Sequence, residues 1–220
     1  MRTIRVTGKG QIKLRPDMTR ISISLEGTYL EYRETLRHSS ENTEALKDLL
    51  TAHGFERTDL KTLDFSVDTE YESYKEHGTY KQRFVGYKYR HLLKVEFDSD
   101  NKRLGKILYA LAHSPVKPEF RISYTVKDQE AAKNLLLGKA VSDAKEKADV
   151  LTKAAGVALQ GIQSIDYSWG QINFEVRPMD RMVVSECIEP YGESTASYDM
   201  DIEPDNIEVS DTVTVLWEIA

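Results

Sequence analysis

Hydrophobic and polar residues alternate along several stretches of the chain, and each such stretch predicts a β-strand with one buried face. The first stretch places Ile4, Val6 and Ile12 on one face together with two glycines, Gly8 and Gly10. Further alternating runs follow at 21–25, 63–67, 85–97, 120–126 and 207–219. Alternation of this kind is typical of antiparallel sheets that bury one face.

The segment VTGKGQIKLRPD, at 6–17, carries two glycines around a lysine and raises the question of a phosphate-binding loop. Such a loop leads from a strand into a helix whose N-terminal amides face the phosphate. Here the glycines are followed by further alternation, by Arg15-Pro16-Asp17 and by a second alternating run. We therefore interpret the segment as a strand that forms a hairpin with the next one. Its inward-facing glycines predict close approach of a helix or strand, or a bulge.

Three stretches have apolar residues at helical spacing instead. The first covers 32–50 and ends near Gly54, and a short one follows at 104–111. The longest begins near Asp128 and ends before Gly156, and its buried face is predicted to consist of Leu136, Ala140, Ala144, Ala148, Leu151 and Ala155. Because most of these residues are small, we expect this helix to lie close to a sheet.

The order of strands and helices predicts an α+β fold with mainly antiparallel sheets, packed helices and one long alanine-rich helix. We expect one domain over 1–220 that contains two intertwined α/β subdomains. The subdivision that we consider joins 1–66 with 156–220 and treats 67–155 as an insertion.

Two of the predicted strands, at 84–97 and 207–219, are long and contain few prolines. We expect them to present exposed edges, and exposed edges are covered in most proteins. A second copy of the chain is one such cover, whereas an acidic segment or a helix of the same chain is another. The first alternative predicts a homo-oligomer.

Net charge, apolar stretches and cysteine content exclude several kinds of partner and site. The 220 residues carry a formal net charge of -6, which argues against nucleic acid as a partner. No stretch approaches the roughly 18 apolar residues of a membrane-spanning helix, so membrane insertion is not expected. The N-terminal sequence MRTIRVTGKG lacks the apolar core of a signal peptide, and we therefore expect a cytoplasmic protein. Cys187 is the only cysteine, which excludes an intrachain disulfide and a thiolate zinc cluster.

Histidine and acidic residues do not form a recognisable catalytic or metal-binding motif. His91 lies on the apolar face of a predicted strand, where a hydrogen-bonded core histidine is expected more often than a ligand or a base. The remaining histidines have no metal-ligand spacing: His38, His53, His77 and His113. We predict no cofactor, no metal and no catalytic residue.

An acidic segment near the C-terminus has alternate acids that resemble a calcium loop, namely Asp199, Asp201, Glu203 and Asp205. It lacks the central glycine and the distal glutamate of an EF-hand. Calcium binding and a solvated acidic loop both remain open.

Tyrosines are concentrated in and after the polar segment 68–82, which we interpret as a long hairpin with Gly78 at its centre. Tyrosine is favoured at interfaces because it combines apolar area with a polar tip, but strands are also rich in tyrosine. The candidate interaction surface consists of Tyr71, Tyr74, Tyr80, Tyr87 and Tyr89.

Several segments together resemble the SIMPL-domain family. IRVTGKGQIKLRPDMTRISISLEG is similar to the first hairpin of that family, in which a V-x-G-x-G strand leads into a Pro-Asp turn. FVGYKYRHLLKVEF is similar to its central strand. DNKRLGKIL is similar to the helix that follows, AVSDAKEKADVLTKAAGVALQGIQSI to the alanine-rich helix, and IEPDNIEVSDTVTVLWEI to the closing strand. The segments occur in the family's order and cover most of the chain.

The resemblance implies a fold and a range of roles, but no catalytic residues. Bacterial members include periplasmic immunogens and proteins linked to oxidative-stress defence, some relatives form ring- or channel-like homo-oligomers, and the animal protein that names the domain binds a kinase. This sequence departs from the bacterial pattern by its missing export signal and by Pro204-Asp205 before the last strand. We expect a non-enzymatic, self-associating scaffold or binding module. The alternative is an enzyme or small-ligand-binding protein with a pocket between the long helix and the sheet.

Overall fold

The computed structural model describes residues 2–167, 172–177, 198 and 202–220. These residues form strands and helices in the order β1 (Arg2–Leu14), β2 (Met18–Tyr29), α1 (Tyr32–Ala52), β3 (Lys61–Glu76), β4 (Thr79–Asp98), α2 (Asn101–Ala112), β5 (Glu119–Thr125), α3 (Gln129–Ala155), β6 (Leu159–Tyr167), β7 (Glu175–Val176) and β8 (Ile207–Ile219). Nearly every predicted strand and helix is present, so alternation and helical spacing identified the elements well.

The strands form two sheets, one with the order β1-β8-β6 and the other with the order β3-β4-β2-β5-β7. The pairs β1–β8, β6–β8, β2–β4 and β3–β4 are antiparallel. Three helices accompany the sheets within the described residues. The predicted α+β fold with antiparallel sheets is confirmed.

The predicted hairpin between the first two strands is wrong. β1 pairs with β8 along its whole length, from Arg2 opposite Ile219 to Leu14 opposite Ile207, whereas β2 pairs with β4. The linker between β1 and β2 is held by hydrogen bonds to the last residue of β5 and to the chain just after it, and not by a tight turn. Asp17 N donates to Thr125 O at 3.1 Å, and Asp17 Oδ1 accepts from Lys127 N at 2.8 Å.

The predicted edge strands are also not edges. β4 lies between β3 and β2, and β8 lies between β1 and β6. Alternation of hydrophobic residues shows which face of a strand is buried but carries no information on which strands end a sheet. These two strands therefore do not support a homo-oligomer, and the strands at the two ends of the larger sheet are β3 and the two-residue β7.

The chain divides into two compact units that are interleaved along the sequence. One comprises 1–17, 125–176 and 204–220, and the other 18–124 and 177–203. These bounds differ from the subdivision predicted from the sequence, which separated residues 18–66 from 67–124. The physical reason is pairing, since β2 and β3 are the two neighbours of β4 and cannot be separated from it.

The long helix α3 has the predicted ends. The Asp128 side chain caps its N-terminus by accepting from Ala131 N at 2.8 Å, and Gly156 ends it in the left-handed conformation with φ 69°. Its first four predicted inward residues are buried: Leu136, Ala140, Ala144 and Ala148. The prediction is wrong for Leu151 and Ala155, which are exposed. The buried row keeps a four-residue spacing and continues to Thr152, whose hydroxyl donates to Ala148 O at 2.8 Å.

Gly8 and Gly10 have the predicted role of admitting a helix. A Cβ atom at Gly8 would lie 2.0 Å from Ala140 O and 2.4 Å from Ala144 N, and a Cβ atom at Gly10 would lie 2.2 Å from Leu136 O. The close approach also lets Lys9 N donate to Asp143 Oδ2 at 2.7 Å. β1 continues as a strand through both glycines, so the GKG sequence is a helix-packing feature and not a phosphate loop.

Candidate interaction surface

All five candidate tyrosines lie on the β3–β4 hairpin. The strands pair from Lys61 opposite Lys94 to Glu76 opposite Thr79, with irregularities in register after Thr62 and after Glu70. His77 and Gly78 form the turn, both with positive φ, as a two-residue hairpin loop of type I′ requires. The predicted hairpin around Gly78 is confirmed. We call its outer part, residues 71–84, the arm.

The arm is almost entirely exposed, and one face of it carries aromatic side chains in contact with one another. The Tyr71 and Phe84 rings lie 5.7 Å apart, the Phe84 and Tyr87 rings 5.4 Å, and the Tyr87 and Tyr32 rings 5.4 Å, all edge to face. Tyr32 opens α1, and Leu36, one turn later, is also exposed. We call Tyr32, Tyr71, Phe84 and Tyr87 the aromatic row.

The predicted tyrosine surface is only partly brought together. Tyr71, 54% exposed, and the half-buried Tyr87 belong to the aromatic row. Tyr80, 76% exposed, lies opposite Lys75 near the turn. Tyr74 lies three residues after Tyr71 in a regular part of β3, and therefore points to the opposite face of the hairpin.

Tyr89 does not belong to the exposed surface of the hairpin. It is 0% exposed and its hydroxyl accepts from Asn42 Nδ2 of α1 at 2.8 Å. Burial raises the pKa of the Tyr89 phenol, and the bond from Asn42 opposes that shift. The prediction is wrong here because α1 covers this part of β4, and single-sequence spacing does not show where a helix begins to cover a strand.

Charges on the arm are nearly balanced. Glu72 forms an ion pair with Arg83 at 2.8 Å, and Glu76 forms one with Lys81. Exposed pairs of this kind contribute little to stability, but they leave the arm without a strong charge of one sign.

His91 is a hydrogen-bonded histidine at the edge of the core, as its position on β4 predicted. Its Nδ1 lies 3.1 Å from Thr43 Oγ1 of α1 and its Nε2 lies 2.9 Å from Thr62 Oγ1 of β3. Thr43 already donates its hydroxyl proton to Ser39 O, so it accepts from His91 Nδ1–H. The neutral ring then accepts from Thr62 at Nε2, and the imidazole connects α1 to β3.

This arrangement predicts a pH dependence of stability. Burial and the nearby Lys47 lower the pKa of His91 from 6.5, so the unfolded chain takes up this proton first as the pH falls. We expect His91 to contribute full stability above about pH 6.5 and to lose it between that value and its lower folded-state pKa. Urea unfolding at pH 7.5, 6.5 and 5.5 measures the loss as falling midpoints.

His91→Gln is the matched control for this titration, because glutamine can bond to threonine but does not ionise in this range. The fall in unfolding midpoint with decreasing pH should be smaller in His91→Gln than in the wild type. An equal fall in both proteins would assign the pH dependence to other groups.

The pocket predicted between the long helix and the sheet is absent from the contact of α3 with β1, where backbone atoms already occupy the space beside Gly8 and Gly10. A cleft of about 160 Å³ lies elsewhere, between β2, α1 and the loop at 116–119. Its lining includes Ser24, Asn42 and Tyr89.

Neither the acidic segment nor the single cysteine can be placed in full. Asp199, Asp201 and Cys187 lie outside the described residues. Glu203 and Asp205 are described, and Asp205 Oδ1 accepts from Asn206 N at 2.7 Å. Among the residues that the structure describes, no three histidine, aspartate or glutamate side chains are grouped closely enough to hold a metal ion. The described helices include none with the length and apolar character needed to cross a membrane.

Comparison with known families agrees with the order of these elements. The profile of SIMPL, described as a protein of unknown function (DUF541), matches residues 4–217. The chain belongs to the SIMPL family. None of the curated proteins compared with this SIMPL protein matches it. The resemblance seen in the sequence segments is therefore confirmed, and it covers nearly the whole chain without assigning a specific role.

Sequence reasoning missed two members of the aromatic row. From the sequence, Tyr32 is only the first apolar residue at helical spacing, and Phe84 is only the first residue of a strand. A signal for Phe84 existed in principle, because it lies four residues after Tyr80 and three residues before Tyr87. The irregular register after Glu70, which skips Val85 and brings Phe84 beside Tyr71, could not be read from the sequence.

Proposed function

We propose that this SIMPL-family protein is a non-enzymatic binding module that associates with copies of itself through the aromatic row. The observation that carries the proposal is the continuous contact of four aromatic side chains, which runs from Tyr71 and Phe84 of the exposed arm through Tyr87 to Tyr32 of α1. Aromatic side chains supply much of the binding energy at protein interfaces. Tyr71 and Tyr32 are each about half exposed although they stand in contact with other aromatic rings.

A second copy is the occupant that the chemistry of the arm favours. A symmetric interface brings the same patch together twice, so it tolerates a neutral aromatic patch far better than a charged one. The whole chain carries a net charge of -6, but the arm has its two glutamates paired with cations. Two copies can therefore approach here without strong repulsion.

The test compares a double variant on one face of the hairpin with a single variant on its opposite face. Tyr71→Ser with Phe84→Ser removes the outer half of the aromatic row, and the lost hot-spot contacts should weaken association by about thirtyfold or more. Sedimentation velocity over a range of protein concentrations measures the change.

Tyr74→Ser is the control, because this tyrosine is also exposed but points to the other face. It should associate as the wild type does. Unchanged association of the double variant, with a circular dichroism spectrum that shows a folded chain, would overturn the proposal.

Binding of a small ligand is the second candidate function, and the cleft beside Asn42 and Tyr89 is the observation that favours it. At about 160 Å³, the cleft is smaller than the roughly 300–1,000 Å³ of sites for drug-sized ligands. It therefore suits a small molecule or one side chain of a peptide. We rank this function second because Tyr32, Tyr71 and Phe84 of the aromatic row are exposed, whereas Tyr89 in the lining of the cleft is buried.

A further inference from the structure

Among the strands that the structure describes, β3 has the longest unpaired edge of the larger sheet. β3 ends that sheet in the order β3-β4-β2-β5-β7, and its 16 residues contain neither proline nor glycine. Between the two irregularities in register, 64–70 pairs regularly with β4. The outward-facing backbone N–H and C=O groups of such a stretch can pair with another extended chain.

The side chains of this stretch differ sharply between its two faces. Phe65 lies opposite His91, whose ring is 5.1 Å away, and Val67 lies opposite Tyr89. On the other face, Asp64 and Asp68 alternate with Ser66. An added strand that matched this pattern would carry apolar side chains on one face. On the other face it would carry cationic side chains opposite the carboxylates.

The cations of β4 that lie opposite this stretch are already engaged by Glu26 of β2. Asp68 lies opposite Lys88, but Lys88 forms its ion pair with Glu26 of β2 at 2.9 Å, and Arg90 bonds to the same carboxylate at 3.0 Å. Glu70 attracts Lys88 from a longer distance. Within the described part of the chain, Asp64 and Asp68 form no ion pair.

A second β3 strand is a poor partner for this edge. In an antiparallel pair related by two-fold symmetry and centred on Val67, Asp64 would lie opposite Glu70 on the same face. Like charges directly opposite one another are destabilising. The edge therefore disfavours its own copy, in contrast to the aromatic row.

We propose that the β3 edge at 64–70 binds an extended segment in which lysine or arginine alternates with apolar residues, by adding it as a further strand of the sheet. Backbone hydrogen bonds hold the segment, its cations neutralise Asp64, Asp68 and Glu70, and its apolar side chains cover Phe65 and Val67. This partner class goes beyond the self-association proposed above, because it concerns a different surface of the same hairpin.

The probe is a fluorescent, acetylated and amidated peptide of alternating lysine and valine, as long as the regular stretch of β3. Fluorescence anisotropy at low salt measures its binding to the full chain, and hydrogen exchange read by mass spectrometry locates it. We expect saturable binding and slower exchange of the backbone amides at 64–70. A peptide of the same composition, with all lysines first and all valines last, controls for charge alone.

Two double variants that each remove two negative charges complete the test. Asp68→Asn with Glu70→Gln should weaken binding about fivefold, as expected for two cross-strand charge pairs. Glu72→Gln with Glu76→Gln, whose carboxylates are already paired on the arm, should bind as the wild type does. No binding, equal binding of the block peptide, or equal weakening in both variants would overturn the proposal.

The two proposals can fail separately. The peptide titration is repeated in Tyr71→Ser with Phe84→Ser, where the aromatic row is disrupted but 64–70 is unchanged. Strand addition predicts the same peptide affinity in this variant. A loss of affinity there would place the peptide on the aromatic row and would overturn the assignment to the β3 edge.

Discussion

Replacing Gly8 by valine should destabilise the unit that contains β1, β8 and α3 by about 3 kcal/mol or more, the upper range for overpacking a close contact. The added Cβ would lie 2.0 Å from Ala140 O and 2.4 Å from Ala144 N. Both are backbone atoms of α3, so the whole helix must move and no side chain can yield. Urea unfolding followed by tryptophan fluorescence measures the loss, because Trp217 lies in the same core as Ala140 and Ala144.

Gly138→Ala is the control within α3, at a glycine that does not take part in the contact with β1. Gly138 lies in α3, and a Cβ atom there would meet nothing within 4 Å. Alanine in place of glycine within a helix stabilises by about 0.5–1 kcal/mol. Equal stability of Gly8→Val and the wild type would show that the helix does not lie against the strand at this position.

Leu136→Ala should also destabilise strongly, by about 3 kcal/mol, because it leaves a cavity in a closed core. Leu136 is 0% exposed and packs with Ile12, Phe174 and Ile207. Its neighbour Leu135 is 51% exposed, and Leu135→Ala should change the free energy of unfolding by less than about 0.5 kcal/mol. Similar losses in both variants would mean that a different face of α3 is buried.

The sequence allowed prediction of the elements to within a few residues, because each element has a local signature. Alternation around Gly8 and Gly10, capping by Asp128 and the stop at Gly156 all act within a few residues of the position that they determine. The same holds for the turn at Gly78, where a positive φ favours glycine.

Strand neighbours could not be predicted in the same way. β1 and β2 are consecutive and strongly alternating, but β1 pairs with β8, more than 190 residues away. The choice depends on which complete set of strands buries the most apolar surface, and that is a property of the whole chain. For the same reason the edge strands could not be predicted from the sequence. β4 and β8 were expected at the ends of sheets, but β3 ends the larger sheet and both of the expected strands are internal.

The candidate surface was predicted in its location but not in its composition. Tyr71 and Tyr87 were recovered because tyrosines are concentrated in this segment. Tyr89 was included wrongly. Alternation along β4 is the same where α1 covers the strand and where it does not, so the sequence does not distinguish the two parts. Phe84 and Tyr32 join the row through an irregular strand register and through the start of a helix, and neither has a local sequence signature.

If copies of this chain associate through the exposed aromatic row, the mass of the protein in solution depends on its concentration. Light scattering coupled to size-exclusion chromatography, over a wide dilution series of the wild type, measures this mass. We expect at least twice the 25.1 kDa of one chain at high concentration, falling towards that value only on dilution. A mass of 25.1 kDa at every concentration would contradict this expectation.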